Sequence, residues 1–214
     1  MAAVPVKPEY GPTLGRLLSP RWRAASPLAR AVLVAGGVVL VVVLAAAALA
    51  LLNPTYSRGG RVPFRFDYRG LYRTAPAPGQ FVEVQRLRAD GRVRDSFAVG
   101  PLRLPPYTGE LSAELPLYST GLIEQMSHSY QRFALRGEGK GTVNGVPSYN
   151  VYFSARREGQ TMYGREVLLL PERRGAREGI AVTMLTVPSS SARSPLEVAS
   201  TGVLGEALKS LTLG

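Results

Sequence analysis

The sequence predicts an α+β protein, with an N-terminal single transmembrane helix followed by an antiparallel β-sheet domain flanked by helices. Three observations carry that prediction. Residues 31–52, AVLVAGGVVLVVVLAAAALALL, contain no charged, amide or hydroxyl side chain. Downstream, short runs alternate apolar and polar residues and are separated by Asp-Gly, Asn-Gly and Glu-Gly pairs, the pattern of strands joined by tight turns. Residues 119–133 and 194–211 switch instead to helical spacing, as expected of helices laid on a sheet.

As a helix, residues 31–52 reach roughly 33 Å, enough to cross a hydrocarbon core of about 30 Å. A buried helix in a soluble domain would need neighbours on every face, since no face here is polar. A cleaved secretory signal is the other alternative, because Ala48, Leu49 and Ala50 form a small-x-small pattern. The apolar run is longer than a usual signal core and its leader is long, which favours a retained span. On either reading, everything after Leu52 is expected to have crossed a membrane. Residues 1–30 hold five prolines and no apolar periodicity, and are read as a basic, disordered cytoplasmic tail. Arg16, Arg21, Arg23 and Arg30 closely precede the span, which favours an N-terminus inside the cell. Arg58, Arg61, Arg65 and Arg69 follow it as closely, but a long folded domain translocates largely regardless of its charge. Gly36 and Gly37 are adjacent and so lack the four-residue spacing of a helix-dimer motif.

Asn53 and Pro54 end the apolar helix, and residues 53–60 read as a polar linker into a domain over residues 61–214. That domain opens with RVPFRFDY, where Val62, Phe64, Phe66 and Tyr68 alternate with polar residues, a half-buried strand. After a proline loop, FVEVQRLR and RVRDSFAV flank Ala89-Asp90-Gly91 as a hairpin. Residues 100–116, with four prolines, are expected to be irregular. Leu122, Met126, Tyr130 and Phe133 then share one face of the helix at 119–133. Strands are expected near 140–143, 149–157, 161–170 and 180–187, with Asn144-Gly145 and Glu158-Gly159 as turns. Arg173, Arg174 and Arg177 fall in the loop before the last of these strands. Ser194-Pro195-Leu196-Glu197 reads as a capped start of a final helix, whose continuity Gly202 and Gly205 weaken.

Composition removes several classes of function. The chain has no cysteine, which excludes disulfides, thiolate metal sites, cysteine nucleophiles and a lipidated cysteine. The net charge of +11 divides into +4 before the apolar run and +7 after it. Only Lys7, Lys140 and Lys209 are lysines, and the arginines are scattered over strands and loops. A nucleic-acid surface gathers its charge into a stripe or helix, so anionic lipid or an acidic envelope polymer is the better-matched partner.

The remaining motifs carry no recognisable chemistry. His128 is the only histidine and lies on the far side of its helix from Met126, without a triad partner in sequence. Gly137, Gly139 and Gly141 surround Lys140, but Ala134 and Gly141 stand where a phosphate loop needs glycine and a hydroxyl residue, so they read as a flexible connection into a strand. Glu83, Asp90, Asp95, Glu110 and Glu114 show no spacing that selects an acid–base pair. Ser189, Ser190 and Ser191 lack a nucleophile elbow. No metal or cofactor is expected. The one cluster with functional promise is Arg65, Tyr68, Arg69, Tyr72 and Arg73, since guanidinium and phenol groups together suit anionic or sugar-rich ligands. A strand with tyrosines in the core and arginines in water is the structural alternative.

The order of elements, with the line GTVNGVPSYNVYFSARREGQTMYGREVLLL, the strand IAVTMLTV and the closing helix, resembles the PsbP/Mog1 fold group, including the LpqN-type exported proteins of actinobacteria. The resemblance covers roughly residues 62–213. It implies a compact antiparallel sheet flanked by helices that serves as a binding or assembly module without catalytic machinery. Unlike the lipoprotein members, this chain would be anchored by its apolar helix. The expected function is a non-catalytic interaction or assembly module at a bacterial cell envelope. The alternative is a small-ligand carrier with a pocket between the central helix and the sheet.

Overall fold

A computed structural model of the chain describes residues 26–105, 111–171 and 176–214. These fall into two units that divide between Leu52 and Asn53. Most of the N-terminal tail, Glu110, Arg173 and Arg174 lie outside the described residues.

The first unit holds helix α1, Pro27–Leu52. It starts before the apolar run because the Ser26 hydroxyl accepts the Ala29 N–H at 3.2 Å, satisfying one of the donors left over at a helix start. Over Pro27–Ala48 the mean hydropathy is 2.8 and none of the segment is buried by protein. Val32, Val38, Val41 and Leu44 are each more than half exposed. By length and composition the helix is long and apolar enough to cross a hydrocarbon core.

The second unit is built on a seven-stranded sheet. Its strands are β3 (Tyr72–Thr74), β4 (Val82–Leu87), β5 (Val93–Arg103), β6 (Gln131–Val143), β7 (Val146–Arg157), β8 (Gln160–Leu169) and β9 (Glu178–Thr186). They lie in the order β3-β4-β5-β9-β8-β7-β6, every neighbouring pair antiparallel. The chain leaves β5, passes through helix α2 (Leu111–Ser129), and enters the far edge as β6. It returns strand by strand until β9 fills the place beside β5. A smaller sheet of β1 (Thr55–Arg58), β2 (Phe64–Asp67) and β10 (Thr212–Leu213) has the order β1-β2-β10.

The two faces of the large sheet bury different cores. Val82, Val84, Phe97, Val99, Val182 and Met184 join Phe64, Phe66, Leu204 and Leu208, bringing β2 and helix α3 (Gly202–Ser210) onto one face. On the other face, Leu115, Tyr118, Leu122, Ile123 and Met126 of α2 meet Val151, Leu168, Phe153 and Met162. Gly164 pairs with Phe153 on that second face, and it is glycine where a Cβ would overlap the Phe153 ring.

Several boundaries differ from the sequence reading. Residues 55–58 are a strand rather than linker, since Thr55 Oγ1 donates to Asp67 Oδ1 at 2.6 Å and Tyr56 packs on Phe64 and Phe66. Much of the stretch expected to be irregular is regular: β5 runs on to Arg103 and α2 begins at Leu111. Pro116 sits inside α2, where the Ser119 and Thr120 hydroxyls donate to its carbonyl. The helix ends at Ser129, and Arg132 at φ 49 turns the chain into β6, so Phe133 belongs to a strand. The glycines around Lys140 are part of β6, not a flexible connection. Gly139 and Gly141 pair with Asn150 and Ser148, and a Cβ on Gly141 would strike the Asn150 amide. The final helix is broken: a 3-10 turn, Pro195–Glu197, is followed by α3, with Ala199 at φ 61 between them and Gly202 at φ 72 at the start of α3. Ser194 makes no side-chain cap, although Glu197 Oε2 accepts the Arg193 N–H at 2.7 Å. The Asn144-Gly145 and Glu158-Gly159 turns have both residues at positive φ, as tight hairpin turns require.

Candidate anionic-ligand surface

Alternation in β2 sorts its side chains. Phe64 and Phe66 are buried, while Arg65 and Asp67 face out. The inward residues seed an aromatic cluster in which the ring centroids of Tyr56 lie 5.7 Å from both Phe64 and Phe66. Phe81 lies 6.0 Å from Phe64, and Phe97 lies 4.8 Å from Phe66. Two arginines cap its outer edge: Arg58 stands 3.8 Å above the Phe81 ring and Arg73 stands 5.2 Å from the Tyr56 centroid. Each contact holds a guanidinium against an aromatic face while leaving its N–H groups for a second partner.

The five residues singled out in the sequence are divided by this geometry. Arg73 and Tyr72 lie on β3, at the edge of the large sheet, where Tyr72 is 73% exposed and so not a core residue. Arg65 lies on the small sheet, on the face away from Tyr56. Tyr68 is half-buried against Phe66 and its N–H donates to Pro54 at 2.9 Å. Arg69 is exposed in the turn that follows. Arginine stacking on tyrosine does occur, but the tyrosine is Tyr56. Tyr56, Arg58 and Phe81 were not legible as site residues, because Phe81 is brought to Arg58 only by folding. Arg61 pairs with Glu178 at 3.2 Å, while Arg58, Arg65, Arg69 and Arg103 have no ion pair among the described residues.

The acidic residues are held apart. Asp95 is on the face opposite Glu83, where Arg86 reaches it at 2.6 Å and the Thr186 hydroxyl donates to it at 2.7 Å. Asp90 is exposed in a hairpin turn. Glu114 is buried in α2, with Oε1 lacking a partner among the described residues. Glu83 is buried, accepting from Ser96 at 2.9 Å and Gln85 at 2.7 Å. Register places Glu83, Ala98, Thr183, Glu166, Val151 and Glu138 in one row across the sheet. In that row Glu166 lies among the apolar side chains packed against α2. Burial pushes its carboxyl up to about 7, against a smaller downward pull from the Thr183 hydrogen bond. Burial first, and Glu166 second, pushes the Tyr130 hydroxyl up to about 12.

Among the described residues nothing assembles a nucleophile with a base. His128 is exposed in the last turn of α2, on the side its spacing from Met126 indicates. Among the described residues no group of acidic or histidine side chains could hold a metal ion. The interface between α2 and the sheet, where a carrier pocket was the alternative, is occupied by the side chains of Leu115, Tyr118, Leu122 and Met126.

No family model matches the chain. No curated protein matches it either. Solved structures do. The chain is similar to LpqN of Mycobacterium tuberculosis, described as involved in cell envelope biogenesis, at 8% identity and a TM-score of 0.51, over 75% of this chain and 91% of that one. It is similar to cyanobacterial PsbP from Synechocystis at 12% identity and a TM-score of 0.50, over 76% of this chain and 92% of that one. Mog1p, a Ran-binding protein of Saccharomyces cerevisiae, aligns at 11% identity with a TM-score of 0.47, over 75% of this chain and 94% of that one. The likeness to LpqN and PsbP shows a domain of PsbP/Mog1-like fold, preceded by a helix long and apolar enough to cross a membrane.

Proposed function

We propose that this chain is a single-pass membrane protein whose N-terminus is cytoplasmic and whose PsbP/Mog1-like domain is extracytoplasmic, acting at the cell envelope as a non-catalytic interaction or assembly module. The observation that carries the reading is the junction of two parts: an apolar helix without protein cover and, directly after it, a folded domain with no evident reaction centre. The envelope role of LpqN supports the location by analogy of fold. A lone, exposed histidine and the lack of cysteine support a non-catalytic role. The exposed arginines Arg65, Arg69 and Arg73, with Tyr68 and Tyr72 beside them in sequence, are proposed to rest on anionic lipid or wall polymer.

Extraction tests the anchor. Membranes carrying the full chain are washed at alkaline pH, and the mass of the retained protein is measured. The reading predicts a pellet-bound chain of 23.0 kDa. A shortened chain released into the wash would show that the helix had been removed as a signal.

A further inference from the structure

A cavity of about 460 Å³ opens beside the end of β1, within the range of roughly 300–1,000 Å³ usual for small-molecule sites. Its apolar walls come from Val62, Phe81 and Pro101, and Gly179 forms part of the lining. Its polar groups are Arg58, Arg61, Arg103 and a single carboxylate, Glu178. The three guanidinium groups outnumber that carboxylate and leave the cavity with a net positive charge.

The arginines differ in how they are held. Arg58 is stacked 3.8 Å above Phe81, which fixes its plane beside the apolar wall. Arg103 has no ion pair among the described residues. Arg61 is bound to Glu178 at 3.2 Å, but its side chain is 86% exposed, and such surface pairs add little stability and exchange readily. An incoming anion can therefore take Arg61 without a large cost. Planar guanidinium groups bind phosphate oxygens through paired N–H donors, and the apolar walls suit hydrocarbon beside that phosphate.

We infer that this cavity binds the phosphate head and adjoining acyl chain of an anionic glycerophospholipid from the membrane in which the chain is anchored. The inference rests on the membrane-anchored reading and gives it a ligand. Five residues separate Leu52 from Arg58, so the cavity is linked to the membrane-spanning helix by a tether of at most about 20 Å. Free phosphate would satisfy the arginines but leave the apolar walls wet. An acyl chain covers them.

The test reconstitutes the full chain in bilayers containing phosphatidylglycerol with a photoreactive acyl chain, or phosphatidylcholine with the same chain, and maps the labelled peptides. α1, surrounded by acyl chains, labels with either lipid; within residues 53–214 the site predicts labelling confined to the peptides that contain Phe81, Val62 and Pro101, and stronger with the anionic lipid. Arg58→Glu with Arg103→Glu should lower that labelling by about tenfold, the effect of losing two basic groups at an anionic surface. Arg58→Gln with Arg103→Gln, which introduces no new charge, should lower it in the same direction while the circular dichroism spectrum is unchanged. Equal labelling of those peptides by both lipids, labelling elsewhere within residues 53–214, or indifference to both double variants would overturn the inference. Loss of labelling on adding soluble glycerol phosphate would overturn the lipid source in favour of a free phosphate ester. Repeating the labelling in detergent micelles separates the two claims. A chain that is released by an alkaline wash yet still labels at the cavity refutes the anchor alone, whereas an anchored chain that does not label refutes the cavity alone.

Discussion

At the scale of single residues, Glu166 sets the sharpest expectation. It stands in the middle of the α2-facing surface of the sheet, between one apolar cluster around Leu115 and Leu168 and another around Met126 and Phe153. Burial raises its carboxyl from 4.5 to about 7 in the folded chain. Below pH 4.5 the carboxyl is protonated in both folded and unfolded states, so it costs nothing. As pH rises from 4.5 to 7 the unfolded chain ionises while the folded chain holds its proton, and stability falls, by on the order of 3 kcal/mol. Above that range the loss is complete and flat. Glu166→Gln should therefore raise the melting temperature at pH 8 and remove most of the difference between pH 5 and pH 8. A variant whose pH dependence matched the parent would show that Glu166 is solvated in the folded protein.

Among the elements, the β6–β7 turn does more than reverse the chain. The Asn144 amide donates to the carbonyls of Lys209 at 2.8 Å and Leu211 at 2.6 Å, closing the end of α3 with a residue that is distant in sequence. Asn144→Gly keeps the positive φ of the turn while removing both bonds. It should lower unfolding stability by about 1–3 kcal/mol, measured by denaturant titration, and Asn144→Asp, which has no amide donor, should fail to restore it. If Asn144→Gly were neutral, the turn would be contributing only its conformation. The sequence made Asn144-Gly145 readable as a turn, because a tight hairpin needs positive φ at both positions. It could not show the bond to α3, which depends on how two separate elements dock. The same distinction explains the other boundaries. Alternation and helical spacing identify β2, the β4–β5 hairpin and the core face of α2. Pro116 closes the proline-rich stretch expected to be irregular, yet a proline removes a single N–H and its carbonyl here gains two hydroxyl donors. The run through Tyr130 and Phe133 kept its helical spacing across the start of β6, because Tyr130, just past the end of α2, and Phe133, in β6, both pack on Phe153.

For the molecule as a whole, the fold was legible from the order of its elements. The candidate surface was legible only in part. Arg73 and Arg65 are near in sequence but are carried on different sheets and different faces. Arg58 and Phe81, far apart in sequence, meet at 3.8 Å. The domain of residues 53–214 should bind anionic vesicles at low salt and release them as ionic strength rises, since exposed arginines act through a screened field. Arg65→Glu with Arg69→Glu and Arg73→Glu should weaken that binding in a flotation assay. Unchanged flotation would remove those three residues from the interface.

The central claim is that the chain is held in the membrane by its apolar helix with the basic domain outside the cytoplasm. The most direct measurement is protease accessibility of a tag placed after Gly214 in intact cells, with the mass of the membrane-bound protein read from the same sample. An anchored chain with its domain outside gives a tag that is removed from an otherwise full-length, membrane-bound protein. A tag that stays protected until the cells are opened would contradict the claim, and would place the domain and its arginines on the cytoplasmic side.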